Sequence, residues 1–273
     1  MCLPQKDIVE EKYINFIRSK ETKVKAATIY PYELVKKALS SQNSLRFSFP
    51  TEREVLEKYW KNLPDYLLEK PSKMICVVDT SSSMIGTPIN VAISLGMYCA
   101  ERLEEDFKNK FISFSDKPQL ITIEGKDFVD KVRNIYKTIS NLDTNLEAVF
   151  DLLLESAKKS RKEDIPQTII IISDMEINNA FGFIDNTIEN IQNRTMIEMD
   201  KIKEKWKRNG IKCPKLVYWN VNAKHDIILD RGADVSFVSG FSPTLFETVL
   251  SGKTGIDLMI HKLNDKRYSV IDI

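Results

Sequence analysis

Lys73-Met74-Ile75-Cys76-Val77-Val78-Asp79-Thr80-Ser81-Ser82-Ser83-Met84 is the stretch whose reading decides the fold. Met74 to Val78 is a short apolar run rich in β-branched residues, bounded upstream by Pro71. Such a run reads as a strand buried on both faces rather than as a helix. It ends in a carboxylate and a string of hydroxyls, with Asp79, Ser81 and Ser83 spaced Asp-x-Ser-x-Ser. Pro88 then opens a helix, since proline suits a first helical turn. Asp79 and the two serines therefore belong at the C-terminal end of a strand, where open α/β sheets place their ligands.

Alternate residues of a tight loop turn several oxygens toward one point. A donor set of carboxylate, hydroxyl and water suits a hard cation, Mg²⁺ first, with Mn²⁺ and Ca²⁺ as alternatives. Two further pieces extend the pattern. Asp143-Thr144-Asn145 precedes an apolar helix and offers another hydroxyl, and Thr168-Ile169-Ile170-Ile171-Ile172-Ser173-Asp174 is a second buried strand ending in a carboxylate. One sheet edge would thus gather Asp79, Ser81, Ser83, Thr144 and Asp174. Glu176 and Asn220 fall at the rim, where a partner would touch. The competing reading is an Asx or Ser turn that caps the following helix, with Asp143 and Thr144 capping theirs.

These three motifs resemble the metal-ion-dependent adhesion site of von Willebrand factor A domains, and the resemblance spans about residues 73–250. It implies that Ser81, Ser83 and Thr144 ligate the metal directly and that Asp79 and Asp174 act mainly through bound waters. It also implies that a partner's Asp or Glu carboxylate fills the open position. The chain departs from the pattern at Ser82 and Met175, where many members carry glycine. Tyr30-Pro31-Tyr32-Glu33-Leu34-Val35, Ser173-Asp174-Met175-Glu176, Val217-Tyr218-Trp219-Asn220 and Val238-Ser239-Gly240-Phe241-Ser242 resemble, in addition, a family of eukaryotic and large-DNA-virus proteins catalogued only as a domain of unknown function. The A-type domain of that family is similar to that of the Ro-type RNA-binding autoantigens, which implies RNA as an alternative partner.

Bulk properties narrow the field. The chain has 273 residues, 40 basic and 39 acidic, for a net charge of +1. That balance gives no global argument for nucleic-acid or membrane binding. Four scattered cysteines without a Cys-x-x-Cys, and the absence of a signal-like apolar core at the N-terminus, point to an intracellular, cytoplasmic protein, or a virion component if the chain is viral. No apolar run reaches membrane-spanning length.

Organisation follows the hydrophobic period. Residues 1–72 read as a helical appendage, with helices over 8–18, 32–39 and from a Thr51 cap onward. Residues 73–273 read as the A-type domain: α/β, Rossmann-like, with a mostly parallel central sheet, one antiparallel edge strand and helices on both faces. Only Asp116-Lys117-Pro118 separates the strands at 110–114 and 119–123, so they pair as a hairpin. Helices are expected at 88–106, 127–140, 145–159, 186–209, 243–250 and 256–265, and further strands at 215–221 and 234–238.

The two histidines, His225 and His261, are isolated and offer no Ser-His-Asp triad. Ser251-Gly252-Lys253-Thr254 lacks the upstream glycine of a phosphate-binding loop. The basic stretch 201–215 holds Trp206, which would pack inward or stack on a base. The resulting expectation is a non-enzymatic, divalent-metal-dependent protein-binding module. The alternatives are an RNA-associated scaffold and, lower, a phosphotransferase with Asp79 as nucleophile. The last is weakened because Ser81 stands where such enzymes place a second carboxylate.

Overall fold

Prolines open the first three helices: α1 (Pro4–Arg18), α2 (Pro31–Ser40) and α3 (Pro50–Lys61). At the first helical position the missing N–H has no partner to lose, and the fixed φ is already helical. This corrects the expected Thr51 cap, because α3 begins one residue earlier and Thr51 lies inside the first turn. The computed structural model describes residues 4–19, 23–26, 29–40, 50–65, 73–104, 107–115, 117–137, 145–159, 165–174, 188–223, 227–230, 234–242, 245, 248–250, 260 and 264. The closing helices expected at 243–250 and 256–265 lie largely outside the described residues.

From residue 74 strands and helices alternate: β1 (Met74–Asp79), α4 (Thr87–Ala100), β2 (Lys110–Phe114), β3 (Leu120–Thr122), α5 (Phe128–Lys137), α6 (Leu146–Ala157), β4 (Thr168–Ser173), α7 (Ile188–Arg208), β5 (Lys215–Asn220), β6 (Ile227–Asp230) and β7 (Val235–Ser239). The seven strands form one sheet in the order β3-β2-β1-β4-β5-β7-β6. The inner five are mutually parallel. β3 returns on β2 as the expected hairpin, with Phe111 opposite Ile121. A second antiparallel strand, β6, closes the other edge against β7; the sequence reading assigns no element there. Helix α4 ends at Ala100, short of the expected 106, because Leu103 N and Asn109 N fold back onto Ala100 O.

The period-2 rule divides the strands between two cores. Met74, Cys76 and Val78 of β1, with Ile170 and Ile172 of β4, face α4 and α5. Ile75 and Val77, with Ile169 and Ile171, face α6 and α7. Gly96 lets α4 lie close on β1, since a Cβ there would stand 2.6 Å from Val78 Cγ2. Cys76 and Cys99 meet in the first core as free thiols, both kept there as small hydrophobes. The Cys76 thiol is pushed well up by its contact with Cys99 and by burial.

The helices before residue 73 belong to that first core. Leu34, Val35, Ala38, Leu56, Trp60 and Leu63 share one apolar cluster with α4 and α5. Trp60 stacks on Phe128 at 4.7 Å between centroids and donates its Nε1–H to Glu101 at 2.7 Å. Lys131 donates to the other Glu101 oxygen at 2.6 Å. Arg53 forks onto Asp127 through two bonds of 2.7 Å and also reaches Asp130. Glu57 accepts from Phe128 N, at the helix end where an anion meets the dipole favourably. Buried Lys58 donates to the carbonyls of Phe16, Ile17 and Ser19, tying down the end of α1.

Candidate functional site

The chain leaves β1 through α4 toward β2 on one side, and from β3 it crosses back through α5 and α6 to β4 on the other side of β1. The crevice between the C-terminal ends of β1 and β4 is therefore the topological switch point of the sheet, the place where such sheets bind ligands. Asp79 is the last residue of β1, and Ser173 and Asp174 close β4. Parallel pairing of Val78 with Ile172 carries Asp79 alongside Ser173.

Asp79 is fully buried, and both of its oxygens are engaged. Oδ1 accepts from the Ser81 amide at 2.9 Å, which closes the loop into a tight turn. Oδ2 accepts from the Ser173 hydroxyl at 2.5 Å. Ser81 Oγ and Ser83 Oγ lie 3.0 Å apart. A single 3-10 turn over Ser82–Met84 holds this spacing: Met84 N donates to Ser81 O, Ile85 N donates to Ser82 O, and buried Met84 anchors the turn below. The alternate spacing of the motif is thus converted into adjacent oxygens by one short turn.

Burial drives the Asp79 carboxyl above the usual range. The bonds from Ser173 and Ser81 pull it down in part, and the charge of Asp174 pushes it up again. Asp174 is itself 6 % exposed. Tyr218, in the layer beneath, is completely buried, and its phenol is pushed far up by burial and by the Asp79 charge. The Asp79 surroundings are thus hydroxyls, an amide and another carboxylate. A hard cation fits this donor set, because it would neutralise the carboxylates that the fold brings out of water. Among the described residues no three His, Cys, Asp or Glu side chains gather at one point; the hydroxyls are what fill out the set here.

Of the residues nominated from sequence, Asp79, Ser81, Ser83 and Asp174 come to this one edge. Thr144 and Glu176 lie outside the described residues. Asn220 ends β5 opposite Ser173, but its Oδ1 accepts from Asn222 N at 2.9 Å, which ties the side chain into its own turn. The cap of α6 is Asn145, whose side chain accepts from Ala148 N at 3.0 Å. Asp143 and Thr144, considered as caps from the sequence, lie outside the described residues. Ser173 is not among the nominated residues; the strand register alone points to it, because two parallel strands ending together place their terminal side chains as neighbours.

The basic stretch reads differently in three dimensions. Trp206 is wholly buried and meets Phe150 edge-on, so it offers no face to a base. Lys203 pairs with Asp234, Lys205 with Asp151 and Glu147, and Arg208 with Glu204. No described helix is long and apolar enough to cross a membrane.

A mostly parallel sheet wrapped by helices, with the Asp-x-Ser-x-Ser loop at its switch point, is a von Willebrand factor A-like fold. Within that class the chain belongs to the family described as domain of unknown function DUF7788, whose profile matches residues 73–268. It is 27 % identical over 262 residues to uncharacterized protein L728 of Acanthamoeba polyphaga mimivirus, covering 92 % of this chain and 42 % of the relative. Its fold is similar to the crystal structure of the Deinococcus radiodurans Ro (RSR) protein, with a TM-score of 0.53 and 15 % identity, over 92 % of this chain and 50 % of that one. The chain thus spans half or less of the length of both.

Proposed function

We propose that the chain is a divalent-metal-dependent protein-binding module, not an enzyme. The observation that carries this reading is the buried Asp79 carboxylate, surrounded by serine oxygens, an amide and a second carboxylate at the switch point. Ser81 and Ser83 would hold Mg²⁺ directly, with Thr144 completing the direct set, and Asp79 and Asp174 would act through water. The ion would supply an uncompensated positive charge and an open position, which an Asp or Glu of a partner protein fills. Mg²⁺ is favoured because it keeps several waters and takes few protein carboxylates.

A role for Asp79 as a phosphoryl-accepting nucleophile is disfavoured. Its carboxylate is out of solvent and both oxygens already accept hydrogen bonds, whereas a nucleophile must present a lone pair to the substrate. The RNA-scaffold reading draws support from the Ro-like fold. The paired lysines of α7 argue against that helix as its surface.

Isothermal titration with Mg²⁺ and with Mn²⁺, on wild type and Asp79→Ala, tests the proposal. Saturable binding to wild type that disappears in a folded Asp79→Ala protein is expected. A variant that binds Mg²⁺ as tightly as wild type removes the assignment.

A further inference from the structure

Beside the metal-site loop the structure displays a surface that the A-type fold alone does not build. Ile85 follows the buried anchor Met84 and stands 72 % exposed, the most exposed large apolar side chain among the described residues. Its position is fixed rather than loose: Ile85 N donates to Ser82 O, and Asn90 Nδ2 holds Gly86 O at 2.8 Å. Gly86 makes the turn into α4 at φ +112°, a conformation that favours glycine. Next to this turn lies an open groove of about 290 Å³, walled by α2 (Lys36, Leu39), by the start of α4 (Ile89) and by α5 (Tyr136). Tyr136 is 38 % exposed.

We propose that this groove is the docking surface for the protein ligand of the metal site, and that the ligand is an acidic linear segment carrying a bulky apolar residue close to its metal-binding carboxylate. The inference rests on the metal-site reading above and adds the partner's chemistry. Two observations and the reach of an extended chain support it. The groove starts at Gly86, three residues beyond Ser83, so one extended segment spans the ion and the groove. Extended chain advances about 3.3 Å per residue, so a few residues suffice. The volume holds one or two side chains of a peptide.

The charge of the wall selects the occupant. Among the described residues Lys36 is the only charged one that lines the groove, it is exposed, and it has no ion pair. A second carboxylate of the segment would meet it. The segment would then read: an acid for the ion, an apolar residue against Ile85 and Tyr136, and an acid for Lys36. Because α2 contributes Lys36 and Leu39, specificity would come from outside the sheet, while the ion would supply a shared electrostatic anchor.

The test uses the full chain immobilised in MgCl2, a phage-displayed library of random twelve-residue peptides, and elution with EDTA. The eluted pool is expected to share an acidic residue followed within about four positions by Leu, Ile, Phe or Trp. A synthetic peptide of that sequence should lose about tenfold or more in affinity for Lys36→Glu and for Ile85→Ser. Both variants should still bind Mg²⁺ as wild type does. Variants that keep Mg²⁺ and keep the peptide overturn the groove and leave the metal site standing. An eluted pool without the shared acidic and apolar pattern overturns it too. Wild type that takes up no Mg²⁺ overturns the metal reading, and with it this inference.

Discussion

Asp79→Asn should stabilise the protein in chelator and destabilise it, relative to wild type, in Mg²⁺. The two side chains are isosteric. In the variant the carboxamide oxygen still accepts from Ser81 N, and the carboxamide N–H₂ donates to Ser173 Oγ, which swings its own proton elsewhere. Lost is a buried negative charge whose carboxyl burial and Asp174 hold above its ordinary range. A carboxyl raised in the folded state makes the ionised form a liability at neutral pH, because the unfolded chain releases that proton more readily. Relief of that burden is worth about 1 kcal/mol, at the low end of the range for buried polar and charged groups.

In Mg²⁺ the balance reverses. With Kd on the order of 1 mM, 20 mM Mg²⁺ stabilises wild type by RT ln(1 + [L]/Kd), about 1.8 kcal/mol. At roughly 2–4 °C per kcal/mol for a chain of this size, wild type should melt a few degrees below the variant in EDTA and a few degrees above it in Mg²⁺. Differential scanning fluorimetry of both proteins in both buffers reads the crossing. In EDTA the gap should close as the pH falls through the raised carboxyl value toward the unfolded one, since the burden exists only while Asp79 is ionised. Parallel shifts of both proteins in Mg²⁺, or wild type indifferent to it, would refute the reasoning.

Two further outcomes concern the frame that holds the site. Arg53→Ala should cost about 2 kcal/mol in urea unfolding, between the values for exposed and buried pairs, because the Arg53, Asp127 and Asp130 side chains keep 26 %, 28 % and 32 % of their surface exposed. Burial pushes the Asp127 carboxyl up, but the hydrogen bonds and charge of Arg53, together with the amides of Asp130 and Val129, outweigh this and leave it lowered. The stabilisation is therefore present above the unfolded value near 4 and lost as the pH falls through the folded one, so wild type and variant should converge in acid. Gly96→Ala drives a methyl to 2.6 Å from Val78 Cγ2 and should cost about 1–3 kcal/mol, partly recovered in Gly96→Ala/Val78→Ala; a neutral Gly96→Ala would mean that α4 rides on β1 with room to spare.

The sheet was legible because its inner strands are buried on both faces. Ile75-Cys76-Val77-Val78 and Ile169-Ile170-Ile171-Ile172 cannot be solvated on either side, so they appear as unbroken apolar runs. β6 gave no such signal. Its Ile228 and Leu229 stay over a third exposed at the sheet edge, and three apolar residues show neither alternation nor length. The hydroxyls of the site were legible from spacing alone, since one turn converts alternate residues into neighbours. The Ser173 bond to Asp79 was not, because it exists only through the register of two strands separated by 94 positions. Trp206 was ambiguous for a related reason: a tryptophan among lysines fits a wet or a dry face equally, and only the packing of α7 against Phe150 decides it.

The division at residue 73 expected from the sequence predicts its own experiment. Residues before 73 place Ala26, Leu34, Val35, Ala38, Leu56, Trp60 and Leu63 in the core shared with α4 and α5. At roughly 1.5–3 kcal/mol for each large apolar side chain, less for the alanines, their removal forfeits on the order of 10 kcal/mol of burial. That rivals the whole net stability of an ordinary domain. It also bares the apolar partners of Trp60 and Leu34, leaves Glu101 without the Trp60 donor, and strips Arg53 from Asp127. A fragment of residues 73–273 should therefore emerge aggregated or molten, with native-like helix content in far-ultraviolet dichroism but no cooperative melt, while the full chain elutes sharply and melts once. The groove that holds Lys36 disappears with the same cut, so such a fragment could not report on partner binding even if rescued by Mg²⁺. If the fragment instead elutes as a sharp monomer and melts within a few degrees of the full chain, α1–α3 are a separable cover, and the shared core contributes far less than its buried area implies.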